Sequence, residues 1–76
     1  MIRFSIKFDE VVNLKIYNLL GEEIRTLKSE FLTAGQYSVT WDGKNDSGFD
    51  VASGVYLYRV TSGPFNLVKK MILIKQ

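Results

Sequence analysis

The chain begins with a strict alternation of apolar and polar side chains, which is the pattern of a β-strand with one buried face. Four apolar side chains share the predicted inner face of this first strand: Ile2, Phe4, Ile6 and Phe8. The polar pair Asp9 and Glu10 then predicts a turn. A second alternating segment follows, with Val12, Leu14 and Ile16 on its inner face. Together these segments indicate two successive strands.

The segment from Glu22 to Leu32 is less regular, and it follows a tight connection at Asn18–Gly21. Ile24 and Leu27 are three positions apart, so they can share one face of a strand only through a β-bulge. A short helix is the alternative, because Glu, Lys and Leu are good helix formers. We favour the strand because every neighbouring segment is strand-like.

The middle of the chain combines a strong strand with a long turn. Tyr37, Val39 and Trp41 alternate with polar residues in a stretch rich in β-branched and aromatic side chains, which favours a strand. Residues 42–48 are almost purely turn-forming. We expect residues 49–52 to form a short edge strand.

The last part of the chain predicts two strands joined by a hairpin. The first covers Val55–Thr61, the turn lies at residues 62–64, and the second covers Phe65–Lys75. Three side chains share one face of the first strand: Tyr56, Tyr58 and Val60. Six to seven short strands at regular spacing favour a sandwich or a barrel. The predicted fold is therefore all-β, an immunoglobulin-like antiparallel β-sandwich, with residues 1–76 as a single domain.

Composition narrows the function classes. Hydrophobic residues make up 46% of the 76 residues, enough for a dense small core. Cys and His are both absent, which excludes disulfides and thiolate metal sites and removes the commonest general base. A net charge of +2, with both signs interspersed, gives no basic stripe for nucleic acid. We expect no enzyme activity and no cofactor. We also expect no membrane insertion, because no segment approaches the ~20 apolar residues of a membrane span. No signal peptide is visible.

Several motifs carry a family resemblance that covers nearly the whole chain. They are Val12–Leu27, Ala34–Gly43 (AGQYSVTWDG), Asn45–Gly48 (NDSG), Val51–Tyr56 (VASGVY) and the lysine-bearing Lys69–Lys75. The chain resembles the C-terminal sorting domains of type IX secretion, and it equally resembles the Ig-like domain of flagellar hook-capping proteins. Both resemblances imply an Ig-like domain without chemistry of its own.

The sorting resemblance implies a module read by an outer-membrane secretion apparatus, which delivers attached cargo to the cell surface or the medium. The ending at Lys75 and Gln76 favours this function. The proline- and asparagine-rich segment that usually precedes Ile2 in sorting domains is missing here. We therefore expect either an excised domain with an added Met1 or a free-standing relative. The hook-capping resemblance implies structural assembly instead.

The last strand is the candidate partner-docking segment. Its residues combine lysines with an apolar run: Lys69, Lys70, Met71, Ile72, Leu73, Ile74 and Lys75. In one interpretation this strand engages secretion machinery or another protein. In the other, the lysines protect a strand edge against aggregation and the strand is central, buried on both faces. Its two apolar faces also allow strand exchange between copies, which would make a homo-oligomer.

Two further groups of residues have alternative interpretations. Asp42, Asn45 and Asp46 suggest calcium, but three oxygen side chains without a closing Glu favour a turn held by hydrogen bonds to its own backbone. Trp41 and the tyrosines Tyr37, Tyr56 and Tyr58 suggest a sugar-stacking platform and thus a carbohydrate-binding module. The alternation places Trp41 on the core face, so we favour packing.

The adjacent carboxylates at 9–10 and 22–23 do not predict an acid–base couple. Neighbouring residues on a strand point to opposite faces, so neither pair can work on one substrate atom. We expect all four, Asp9, Glu10, Glu22 and Glu23, to be solvated turn charges.

Overall fold

The alternating segments become antiparallel strands in the computed structural model, which describes residues 2–74. In chain order the strands are β1 (Ile2–Ile6), β2 (Glu10–Tyr17), β3 (Glu23–Leu32), β4 (Gly35–Val39), β5 (Gly54–Ser62) and β6 (Phe65–Leu73). These residues contain no helix, so the ambiguous third segment is a strand and not a short helix. It follows that none of them forms a helix long and apolar enough to cross a membrane.

The strands pair into two sheets within the described part of the chain. One sheet contains β1 and β4, and the other has the order β3-β2-β5-β6. All the pairings are antiparallel. The prediction of an all-β fold compatible with an Ig-like sandwich is thereby confirmed.

The core lies between the two sheets, because the inward side chains of both contribute to one apolar cluster. Its buried members are Ile2, Phe4, Ile6, Val12, Leu14, Ile16, Trp41, Tyr56 and Val60. Four of these are wholly buried: Val12, Leu14, Ile16 and Val60. Burial of each such side chain contributes roughly 1.5–3 kcal/mol, so the period-two pattern of the sequence translates directly into the main stabilising term.

Two register shifts place Ile24 and Leu27 on the core. The pairing of β2 with β3 skips one residue of β3 at each shift, and these skipped residues are Ile24 and Leu27. Both pack partly buried against the core cluster. A regular strand would send residues three apart to opposite faces, so the irregularity expected from the sequence is what allows both to pack inward.

Trp41 lies just beyond the end of β4 and is buried, with 7% of its surface exposed. Its indole Nε1 donates a hydrogen bond of 2.9 Å to the backbone carbonyl of Lys44. The Phe4 and Tyr37 rings stack elsewhere in the core, with centroids 5.6 Å apart. The prediction that Trp41 packs in the core is therefore confirmed.

Three expectations from the sequence are wrong. Phe8 is 77% exposed, because β1 ends at Ile6 where its partner β4 begins, and the next residues bend away. Residues 49–52 form no strand; only an isolated bridge joins Lys44 to Asp50. The last strand is not central and buried on both faces, because β6 has β5 as its single neighbour among the described strands.

Candidate functional site

The candidate docking segment forms the end of a sheet. β6 pairs along its whole length with β5, from the pair Ser62–Phe65 to the pair Gly54–Leu73. No described strand or loop hydrogen-bonds to its other side. β6 therefore offers an unpaired backbone edge nine residues long, which is a template for an added strand.

The side chains of the predicted docking segment separate by face. Met71 and Leu73 are half-buried and pack against the core. Ile72 and Ile74 are 70% and 79% exposed. Lys69 and Lys70 are exposed along the strand, and Lys75 lies outside the described residues. The structure thus presents two apolar and two basic side chains of this segment to solvent.

The first half of the opposite edge of the same sheet is covered by a loop, unlike the edge at β6. The backbone N–H of Thr26 on β3 donates to the Asp46 carboxylate at 3.0 Å, and the Asp46 N–H donates to the Ile24 carbonyl at 3.1 Å. Arg25 reaches Asp42 in the same loop at 3.1 Å. The loop at 42–46 therefore occupies the first half of the β3 edge, where a second strand would otherwise pair.

The edges of the smaller sheet are short. β1 and β4 contain five residues each, whereas β6 contains nine. Very short edge strands are one of the ways in which proteins limit unwanted strand pairing. Among the described strands, β6 is the long edge without a covering loop.

A tight hairpin fixes the position of β6. Ser62 pairs with Phe65, so Gly63 and Pro64 alone form the loop. Gly63 has a φ of 58°, and Pro64 is locked near its usual negative φ, which suits a two-residue hairpin turn. A Cβ at Gly63 would also lie 3.0 Å from the Glu10 carboxylate. The positive φ is therefore what favours glycine in this turn, while the nearby Glu10 side chain could shift to admit a Cβ.

An apolar pocket of about 400 Å³, which the sequence pattern did not predict, lies beside this hairpin. Phe8 and Phe65, 77% and 47% exposed, contribute to its lining together with Ile6 and Pro64. Glu10 also lines it. In the sequence the pocket is marked only by an aromatic residue beside each of two turns, Phe8 and Phe65. These turns come together only in the folded chain.

A polar cluster occupies the solvent face of the four-stranded sheet. Lys15 on β2 lies directly opposite Arg59 on β5. The Arg59 guanidinium carbon is 5.6 Å from the centroid of the Tyr17 ring, a cation–π contact. The Lys15 ammonium is 2.9 Å from Glu23, and this hydrogen bond, together with the charge of Glu23, raises the pKa of Lys15 above its ordinary value.

The oxygens suggested as calcium ligands accept hydrogen bonds inside the domain. Asp42 Oδ1 accepts from Lys44 N and from Arg25. Asn45 Oδ1 accepts from two backbone N–H groups at 3.0 Å each. Among residues 2–74, no three His, Cys, Asp or Glu side chains gather as a metal site would require. The arrangement is that of a turn held by its own side chains.

The aromatic residues do not form an exposed platform. Trp41 and Tyr56 are buried, with 7% and 8% of their surface exposed. Tyr37 and Tyr58 are half-buried against the core. A sugar-stacking surface needs an accessible ring face, so these four residues are packing residues.

Two of the four adjacent carboxylates are not turn charges. Glu10 and Glu23 are the first residues of β2 and β3, and Glu23 is paired with Lys15. Asp9 and Glu22 do lie in connections, where Asp9 accepts from the Ala34 N–H at 2.8 Å. All four are thus solvent-facing groups that hold backbone or side chains in place.

Comparison with known proteins gives one match. The sequence model of the FlgD Ig-like domain matches residues 4–63, which include all but the first two residues of β1 and the whole of β2 to β5. No curated protein and no solved structure matches the chain. The match supports the hook-capping part of the resemblance seen in the sequence. Since it covers most of the 76 residues and the fold agrees with it, this chain belongs to the FlgD Ig-like domain family.

Proposed function

We propose that the chain is a non-catalytic structural module that joins a larger protein assembly by pairing a partner strand with the open edge of β6. The observation that carries the proposal is this long uncovered edge in a domain of the FlgD Ig-like family. Backbone hydrogen bonds would supply affinity, and the side chains beside the edge would supply specificity.

The distribution of exposed residues supports β6 as the contact. Ile72 is 70% exposed on a strand that otherwise anchors itself through Met71 and Leu73. Covering a large exposed apolar side chain with a partner removes apolar surface from water and so favours binding. Lys69 and Lys70 add positive charge beside it, which discourages pairing with a second basic copy and favours a different partner.

The experiment places a photo-cross-linking amino acid at position 72 of the protein in its native cells. The matched control places it at Arg3, which is exposed on β1 of the other sheet. We expect position 72, and not position 3, to give a cross-link to a component of an assembled cell structure, identified by mass spectrometry. Equal cross-linking at both positions, or none at 72, would contradict the proposal.

A companion substitution separates folding from docking. Ile72→Lys should leave the free energy of unfolding within about 0.5 kcal/mol, because the side chain is largely in water. For this variant the photo-cross-linking amino acid is placed at position 74 instead of 72. We expect Ile72→Lys to abolish the cross-link from position 74. Leu14→Ala, at a wholly buried position, should cost about 2–5 kcal/mol and serves as the control for a folding defect.

Sorting through type IX secretion is the second candidate, and the same exposed strand favours it. Here Lys69, Lys70, Ile72 and Ile74 would be read by an outer-membrane secretion apparatus, and the parent protein would be exported to the cell surface or the medium. Residues 1–76 fused to a passenger should then carry it out of a host with type IX secretion. Retention in the periplasm with the domain folded would count against sorting, with the proline- and asparagine-rich upstream segment restored as a control.

A further inference from the structure

The solvent face of the four-stranded sheet contains a shallow concavity of about 240 Å³. Its lining comes from the outward residues of two paired strands: Asn13, Lys15 and Tyr17 on β2, and Arg59 and Thr61 on β5. This surface lies on the side of the sheet opposite the core. It is distinct from the backbone edge of β6.

The lining is rich in unused hydrogen-bond donors. Asn13 Oδ1 accepts from the Ser29 hydroxyl at 2.8 Å, which leaves the Asn13 amide N–H groups to donate. The hydroxyls of Thr61 and Tyr17 have no hydrogen-bond partner in the described part of the chain. A concavity that offers N–H and O–H groups and few acceptors is complementary to an oxyanion.

The charges point the same way. Like charges directly opposite each other on neighbouring strands are destabilising, and Lys15 and Arg59 form such a pair. Glu23 neutralises Lys15 at 2.9 Å, but Arg59 has no acidic partner among residues 2–74. An anion seated between the two cations would relieve their repulsion and pair with Arg59.

The surroundings favour an anion borne by a protein. Arg59 lies opposite Val68 on β6; the next pair on this face is Leu57 with Lys70, and Val55 with Ile72 follows it. Val68 and Ile72 are 46% and 70% exposed. A sugar phosphate or a free ion gains nothing from such an apolar border, whereas an acidic residue flanked by apolar side chains fits both parts.

We propose that this concavity receives a glutamate or aspartate carboxylate from a partner polypeptide that also covers Val68 and Ile72. Arg59 supplies the charge-assisted hydrogen bonds, while Asn13 and Thr61 supply neutral ones. The proposal rests on the proposed function, since it assigns part of the partner's chemistry. The two are tested separately, because a cross-link at position 72 does not require a carboxylate.

The test titrates the folded domain with an acetylated pentapeptide that alternates valine and glutamate. Amide chemical shifts of Asn13, Lys15 and Thr61 are followed by NMR. The same peptide with glutamine in place of glutamate is the ligand control. Arg59→Gln is the test variant, and Arg3→Gln, an exposed arginine on the other sheet, is its matched control.

We expect saturable shifts with the glutamate peptide, and roughly tenfold weaker binding in Arg59→Gln, as for the loss of a charge-assisted hydrogen bond. Arg3→Gln should bind as the unaltered chain does. Equal shifts with the glutamine peptide, or unchanged binding in folded Arg59→Gln, would overturn the proposal. Tighter saturation of the same amides by inorganic phosphate would overturn the assignment to a carboxylate.

Discussion

The Trp41 and Tyr56 rings meet edge to face, with centroids 5.1 Å apart and an interplanar angle of 77°. Trp41 follows β4 in the smaller sheet, whereas Tyr56 belongs to β5 in the larger one. Both polar tips are satisfied, because Trp41 Nε1 donates to the Lys44 carbonyl and the Tyr56 hydroxyl to the Ala52 carbonyl. This contact ties the two sheets to the connection between them.

Replacing Trp41 with alanine should therefore lower the free energy of unfolding by about 3–5 kcal/mol, since a large buried ring is lost and a cavity remains. Chemical denaturation followed by circular dichroism measures this. Trp41→Phe keeps an aromatic ring but removes the Nε1 donor, and we expect a smaller loss. A near-normal melting temperature in Trp41→Ala would contradict the buried position.

The turn at residues 42–48 depends on Asn45. Its Oδ1 accepts hydrogen bonds from the Ser47 and Phe49 N–H groups. Asn45→Ala should cost about 1–2 kcal/mol, because both donors lose their partner. Asn45→Asp keeps the acceptor and should be nearly neutral. Ser47→Ala, at an exposed site, is the control. An equal loss of stability in Ser47→Ala would show that the Asn45 hydrogen bonds are not the cause.

Calcium should not stabilise this turn. A ligand that binds the folded state raises the melting temperature, and calcium needs roughly six to eight oxygens. Asp42 and Asn45 already use theirs on N–H groups of the domain. We expect the same melting temperature in millimolar calcium and in chelator. A rise that Asp46→Asn abolishes would show that the turn binds the ion.

The Lys15–Glu23 pair predicts a pH dependence at alkaline pH. Glu23 raises the pKa of Lys15 above 10.5 in the folded chain. Because the folded pKa exceeds the unfolded one, the pair contributes its full stability below pH 10.5 and loses it as the pH rises through the folded pKa. An NMR titration of Lys15 measures the shift. Glu23→Gln should lower this pKa, whereas Glu30→Gln, which removes the partner of Lys28, should not.

The strand faces could be predicted from the sequence because alternation is a local property. Leu14 and Val60, for example, lie wholly buried where the period of two places them. Phe8 continues the same alternation in the sequence, yet the strand ends at Ile6, because pairing with β4 ends there. Local pattern cannot show where a distant partner strand stops.

The place of β6 at the sheet edge was also beyond local pattern. Met71 to Ile74 is an apolar run that suits a strand buried on both faces, and only the order of strands shows that one face and one edge are open. The opposition of Lys15 and Arg59 likewise depends on the register of β2 with β5, residues more than forty positions apart in the chain. The candidate contact surfaces therefore emerge from topology.

The unequal edges of the larger sheet have a consequence for polymerisation. Head-to-tail growth of a filament would require the β6 edge of one molecule to pair with the β3 edge of the next. The loop at 42–46 already occupies half of that second edge through Asp46. Such growth is therefore hindered, because only the second half of the β3 edge is left for pairing with the β6 edge of another molecule.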